Sequence, residues 1–206
     1  MDAPLSLSAL VEQVRSCEAC SGMRFSHVLG AANGPARARV MFIGEAPGRL
    51  GAGRSGVPFL GDESGRRFEA FLSLIGLSRS EVFVTNAILC NPVDEGGRNR
   101  RPRASEVQRC LPFLRAQLLI VEPQVVVALG QVALDALDRI EAHGLSLREA
   151  CGQACDWFGR VLVPLYHTGR RATVHRADAL QREDWLRLGA LVAGRVSGWR
   201  TDKRMA

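Results

Sequence analysis

Lysine is nearly missing from this chain. Of its 27 basic residues only Lys203 is a lysine, so the net charge of +6 and the isoelectric point of about 9.5 rest on arginine. Such a surface favours a polyanionic partner, nucleic acid first, although charge alone is a weak pointer. Long apolar runs are missing too. No stretch reaches the ~20 uninterrupted apolar residues of a membrane-spanning helix, and no membrane partner is expected. The chain opens Met-Asp-Ala-Pro, with no basic segment leading into an apolar one, so no secretory leader is expected and a cytosolic setting is. The glycine-rich segment 48–61 lacks Gly-x-x-x-x-Gly-Lys-Ser/Thr, which removes the P-loop reading. Internal repeats, low-complexity tracts and interdomain linkers are absent. A chain of 206 residues, 47% hydrophobic and 23% charged, suits one compact domain, 1–206, with a full core.

What is present is an alternation of strands and helices. In a strand expected at 39–43, residues 40–43 form a short apolar run that ends abruptly in Gly44-Glu45-Ala46-Pro47-Gly48, a buried strand entering a tight turn with a carboxylate at its lip. Further strands are expected at 81–89, 124–129, 156–158 and 161–166, the last two turning at Gly159-Arg160. Helices are expected at 5–14 and 65–75, the second capped by Ser64, with Phe68, Phe71, Leu72 and Ile75 on one face. Others follow at 105–121, opened by a Ser105/Gln108 capping box, after Gly130 through Leu137, and at 177–196. The alternation predicts a three-layer α/β/α sandwich around a mostly parallel four-stranded sheet.

Three expected strand ends deliver a polar side chain: Glu45, Asn86 and His167. In a parallel sheet these ends share one edge, where ligands of open α/β sheets collect. Taken singly each residue fits a turn or cap; their coincidence favours a common ligand. Phe59, between Pro58 and Gly61, reads on spacing alone as a core residue anchoring the loop. An arginine-rich loop at 98–103, with Arg170 and Arg171 beside His167, can form a basic rim around that edge.

Six cysteines stand at 17, 20, 90, 110, 151 and 155, and clustered thiols in a cytosolic chain point to metal before disulfides. Cys17-x-x-Cys20 with Cys90 and Cys110 makes a set sufficient for zinc or an iron–sulfur cluster. Cys151 and Cys155 are a rival pair for two of those places, more simply read as reduced and structural.

Together Gly44-Glu45-Ala46-Pro47-Gly48, the Pro58-Phe59-Leu60-Gly61 loop, Val84-Thr85-Asn86 followed by Cys90-Asn91-Pro92, Val127-Ala128-Leu129-Gly130 and Pro164-Leu165-Tyr166-His167 resemble the uracil-DNA glycosylase superfamily, most of all its family 4, the iron–sulfur type. The resemblance implies hydrolysis of the N-glycosidic bond of uracil in DNA by base flipping, leaving an abasic site. It implies catalytic roles for Glu45 and His167, and base binding by Ala46, Phe59 as stacking platform and Asn86. It also implies a structural 4Fe-4S cluster on Cys17, Cys20, Cys90 and Cys110, while the basic rim read above puts Arg98, Arg100, Arg170 and Arg171 forward as the expected DNA contacts. The partner would be uracil-containing DNA, single- or double-stranded, met by a monomer in the cytoplasm at the nucleoid. Two alternatives keep the same residues: another deaminated base such as hypoxanthine or xanthine, or a non-catalytic iron–sulfur nucleic-acid-binding protein. Two departures stand out. The family's acidic pair after the first motif is replaced by Arg49-Leu50-Gly51-Ala52-Gly53, and its His-Pro-Ser motif by His167-Thr168-Gly169, which should loosen a loop expected to press on DNA. The segment 94–106 carries no histidine that could trap the sugar, so turnover is expected.

Overall fold

The computed structural model describes residues 6–198, so Leu5 and Lys203 lie outside the described residues. In chain order the elements are α1 (Leu7–Arg15), β1 (Met23–Arg24), β2 (Val40–Gly44), α2 (Ala52–Ser55), α3 (Glu63–Leu74), β3 (Val82–Asn86), β4 (Asn91–Pro92), α4 (Ala104–Val121), β5 (Val125–Leu129), α5 (Gln131–Asp138), α6 (Leu147–Ala150), β6 (Cys155–Trp157), β7 (Arg160–Leu165) and α7 (Asp178–Gly198).

The strands β2, β3 and β5 are buried at every position, the near-continuous apolar runs of strands covered on both faces. The main sheet runs β3-β2-β5-β7-β6, with every pairing parallel except β6–β7. It therefore has five strands rather than the expected four. The fifth follows from turn chemistry. Phe158 and Gly159 both have positive φ (51° and 65°), the backbone of a two-residue hairpin, so β6 folds back antiparallel onto β7 with Trp157 opposite Arg160.

Alternate strand residues feed two cores. Met41, Ile43, Val126 and Ala128 pack towards α1, α4 and α5. Val40, Phe42, Val127 and Val163 pack towards α3 and α7, where Trp185 stacks on Phe42 (5.4 Å, 11°) and Phe71 (5.0 Å, 11°). The result is the expected three-layer arrangement. The chain leaves central β2 towards β3 on one side and returns past it to β5 on the other. The carboxyl end of β2 is therefore the switch point at which such sheets bind ligands.

Two expected caps are displaced. Asp62, not Ser64, caps α3, its Oδ1 accepting from the Gly65 amide at 2.9 Å. Arg103 is the N-cap of α4, and Glu106 accepts from its backbone N–H at 2.7 Å, so the Ser105/Gln108 box does not form. The expected strand 81–89 stops at Asn86. Beyond it the Ala87 and Ile88 amides leave the ladder and donate to the carbonyls of Gly44 and Glu45 at 2.8 and 3.2 Å, bracing the turn after β2.

Candidate active site

The turn after β2 has a side-chain-free first residue for a steric reason. A Cβ on Gly44 would sit 2.6 Å from Asn86 Oδ1 and 2.7 Å from the Phe59 ring, so its absence lets both side chains close over the strand end. Glu45, Ala46, Phe59, Asn86, His167 and Arg171 then line one cavity of about 350 Å³, together with Gly48, Ala52, Asp62, Ser64 and Asn99. All three strand ends thus deliver their polar side chains to the same space.

Phe59 is held in a left-handed backbone (φ 52°), costly for a residue with a Cβ. The start of α3 supports it, since Gly65 packs so close that a Cβ there would lie 2.4 Å from the Phe59 carbonyl oxygen. The ring packs on Phe68 at 4.9 Å and on His167 at 5.5 Å and is 8% exposed. It anchors the loop from the core and also walls the cavity.

Asn86 is buried, and its Nδ2 has no hydrogen-bond partner among the described residues. A buried amide donor left open costs about 1–3 kcal/mol, so a ligand acceptor would repay it. His167 has a defined tautomer. The Gly169 backbone N–H donates to Nδ1 at 2.9 Å, which leaves the neutral ring's proton on Nε2. Burial holds the imidazole below its usual range, with the charge of Asp62 acting weakly the other way. Burial also raises the Glu45 carboxyl above the usual carboxylate range, partly opposed by the Arg101 guanidinium.

Asp62, Ser64 and Asn99 escaped sequence reading. The Asp62 carboxylate lies against the glycines that follow the first motif: a Cβ on Gly51 would be 2.4 Å from its Oδ2, and one on Gly48 3.3 Å. Asn99 Oδ1 accepts from the Arg49 amide at 2.9 Å and from Asn91 Nδ2 at 3.2 Å, while Asn91 Nδ2 also donates to the Pro47 carbonyl at 2.7 Å. The loop after Cys90 therefore grips the turn bearing Glu45. Where the proline is missing, the segment after His167 is tied down by a side chain. Thr168 is fully buried, and its hydroxyl bonds Ser64.

A second, apolar-walled cavity is lined by Cys17, Cys20, Cys90 and Cys110 with Met23, Phe25, Ile88 and Phe113. Backbone amides of Ser26 and His27 reach the Cys90 sulfur and that of Leu89 the Cys110 sulfur, while burial raises the Cys90 thiol and pushes Cys110 up to about 12. Among the described residues no group of three or more His, Cys, Asp or Glu side chains is gathered as a metal-ion site. The thiols stand around a space instead. β1 pairs with β4, stitching the Cys17–Cys20 segment to the chain just past Cys90. Cys151 and Cys155 lie elsewhere, and the Cys151 thiol donates to Asp184 Oδ2 at 3.3 Å.

The arginines divide. Arg98 and Arg100 line an open groove with Arg103, but both Arg100 terminal nitrogens are held by Glu106 at 2.8 and 2.6 Å. Arg170 is exposed beside Glu63 at 3.2 Å, and Arg171 faces the main cavity.

Residues 31–189 match the family model of the uracil DNA glycosylase superfamily. The chain belongs to the uracil-DNA glycosylase superfamily. It is 34% identical over 183 residues to a type-4 uracil-DNA glycosylase of Pyrobaculum aerophilum, covering 87% of this chain and 89% of that protein. A type-5 enzyme of Thermus thermophilus is 32% identical over 183 residues, covering 80% of this chain and 78% of its own length. A type-4 enzyme of Sulfurisphaera tokodaii is 29% identical over 167 residues, covering 79% and 74%. The superfamily match spans Glu45, Phe59, Asn86, Cys90, Cys110 and His167, while Cys17 and Cys20 precede it. No helix among the described residues is long and apolar enough to cross a membrane.

Proposed function

We propose that this chain hydrolyses the N-glycosidic bond of uracil in DNA, drawing the nucleotide out of the stack into the cavity between Phe59, Asn86 and His167. One observation carries the reading: the open, buried Nδ2 donor of Asn86, fixed beside an aromatic wall and a neutral imidazole. Uracil offers O4 to that donor and N3–H to the amide oxygen. Cytosine presents the opposite pattern, and a rigid amide rejects it. Phe59 stacks on the base. As the C1′–N1 bond breaks, its electron pair goes to the base, and His167 donates its Nε2–H towards O2, where charge accumulates. Glu45 and Asp62 face the sugar side, where carboxylates stabilise the developing oxocarbenium ion. Water adds to C1′ and gives its proton to a carboxylate, and the uracil anion is protonated as it leaves. Arg171 meets the phosphate backbone with the exposed Arg98 and Arg170, which would exchange Asp94 and Glu63 for phosphates; Arg100, committed to Glu106, mainly shapes the loop.

Glu45→Gln is expected to lower kcat by about 100-fold or more, the loss of a charge aimed at the transition state. It should also raise the melting temperature at neutral pH. The folded state holds the carboxyl above its unfolded value, so ionisation costs stability as pH rises through the folded pKa, and the amide removes that cost. A melting curve unchanged or lowered at pH 7 would count against a strained, buried carboxylate.

We further infer a structural 4Fe-4S cluster on Cys17, Cys20, Cys90 and Cys110. Four thiols around an apolar space, with backbone amides on two sulfurs, suit a cluster larger than a single ion. Bound there, its irons would be held by the four cysteines as thiolates, which would offset the burial of these sulfurs and tie the end of α1 to α4. The purified protein should absorb near ~400 nm. Cys110→Ser should abolish that band and lower the melting temperature by on the order of 10 °C, as loss of several kcal/mol of ligand linkage requires. A colourless, zinc-loaded wild type would overturn the cluster.

The deciding experiment is incubation with oligonucleotides carrying uracil, hypoxanthine, xanthine or thymine, followed by alkaline cleavage at abasic sites. Cleavage at uracil is expected. Cleavage only at a deaminated purine would reassign the base, and none at all would leave a nucleic-acid-binding protein.

A further inference from the structure

The carbonyl and hydroxyl of Ser64 both meet the hydroxyl of Thr168, a residue with no exposed surface that directly follows His167. Thr168 Oγ1 donates to the Ser64 carbonyl at 2.9 Å, so the second contact, 3.1 Å between the two hydroxyls, must have Ser64 as donor. Each hydroxyl proton therefore has one direction. This is a directed, two-bond clamp across 104 residues of sequence, made at the first turn of α3. The same turn carries the Asp62 cap and the Gly65 contact with the Phe59 carbonyl. One turn of helix thus touches the segment holding the histidine, the loop holding the stacking ring, and the carboxylate beside Gly48 and Gly51.

We infer that Thr168 is a positioning residue: its clamp on Ser64 sets where the His167 ring stands relative to Phe59, so that Nε2 meets the departing base. The inference rests on the role given to His167 above. Sequence around position 168 offers nothing to stiffen the backbone, because the next residue is glycine and the previous one is the functional histidine. Fixing must come from side-chain bonding, and the Ser64 clamp supplies it. Gly169 completes the arrangement, since its amide holds Nδ1 and a Cβ there would lie 3.0 Å from that nitrogen. Around the ring stand Asp62 from the cap of α3, Glu45 from the turn after β2 and Arg171 from its own segment.

The test compares Thr168→Val, Thr168→Ser, Ser64→Ala, the Thr168→Val/Ser64→Ala double variant and His167→Ala on a uracil-containing duplex. Thr168→Val keeps the shape and removes the hydroxyl. It should lower kcat on the order of 10- to 100-fold, the cost of a small misplacement, with KM and DNA affinity within about twofold of wild type. Thr168→Ser should recover kcat to within about threefold of wild type. The double variant should be no slower than Thr168→Val alone, because that change already removes both bonds, whereas Ser64→Ala leaves the Thr168 hydroxyl on the Ser64 carbonyl. NMR titration of His167 should move towards its ordinary value in Thr168→Val as water reaches the ring. Thr173→Val, which removes a hydroxyl bonded only within its own segment, should leave all of these unchanged.

Wild-type kcat in Thr168→Val, a loss expressed in KM alone, or no recovery with serine would each overturn the inference. Should Thr168→Val fail to fold, Ser64→Ala decides: it removes only the bond between the two hydroxyls, so a smaller loss of kcat with unchanged KM is expected, and wild-type kcat there would overturn the inference. His167→Ala separates the two levels: full activity there sinks the role of His167 itself, whereas an inactive His167→Ala beside a normal Thr168→Val sinks only the clamp.

Discussion

Asn86→Asp should lower kcat/KM for uracil excision by roughly 1,000-fold or more, with DNA affinity nearly unchanged. The replacement is isosteric, and among the described residues Asn86 makes no hydrogen bond through Nδ2 that folding would miss. What changes is the atom facing O4. A donor becomes a carboxylate oxygen, so an attraction in a site closed to water becomes a repulsion between two acceptors. Sites built around a polar pair reject partners lacking it by about 10⁴–10⁵-fold, which makes ~1,000-fold a conservative expectation. Asn86→Leu separates the two contributions: it removes the donor without adding charge and should fall between wild type and Asn86→Asp. DNA affinity should hold because arginines at the rim, not the amide in the pocket, meet the backbone. Excision by Asn86→Asp within tenfold of wild type would remove Asn86 from base recognition.

The strand-end residues were legible because a buried parallel strand announces itself as an unbroken β-branched run, and the first polar residue after it must lie on the ligand-binding edge. Glu45, Asn86 and His167 each follow such a run, and all three line one cavity. Contacts formed across the fold were not legible. Asp62 reads locally as one more acidic residue before a helix; only the fold brings its carboxylate against Gly48 and Gly51 and into the cavity. Asn99 was hidden among arginines, and its value lies in bonds to Arg49 and Asn91. Thr168 looked like the loss of a stiff proline, because its compensation sits 104 residues away in Ser64. The caps failed for a related reason: Ser64 and Ser105 are good capping residues, but Asp62 and the Arg103–Glu106 pair outcompete them once tertiary contacts fix where each helix begins. Glu106 also takes both terminal nitrogens of Arg100, a commitment that charge counting does not reveal.

His167→Ala should lower kcat by about 10²–10³-fold, the usual cost of removing one donor aimed at developing negative charge. The variant carries a second, independent signature in pH. In the wild type, protonating the ring means burying a cation and giving up the Gly169 N–H bond to Nδ1, so the folded pKa lies below the unfolded value. Below the unfolded value the unfolded chain therefore binds the proton first. The stability contributed by the neutral ring is complete above about pH 6.5 and is lost as pH falls from there towards the folded pKa. The difference in stability between wild type and His167→Ala should thus shrink, or change sign, between pH 7 and pH 5. The wild-type rate should stay high through neutral pH, where the ring is neutral and Nε2 holds its proton, and fall on the acid side. His167→Gln, a neutral donor without a titration in this range, should regain part of the lost kcat. It should also flatten the part of the acid limb that belongs to the ring, leaving the part due to Glu45. An acid limb identical in His167→Gln and wild type would show that the rate follows a carboxylate alone and that the imidazole is a passive wall of the pocket.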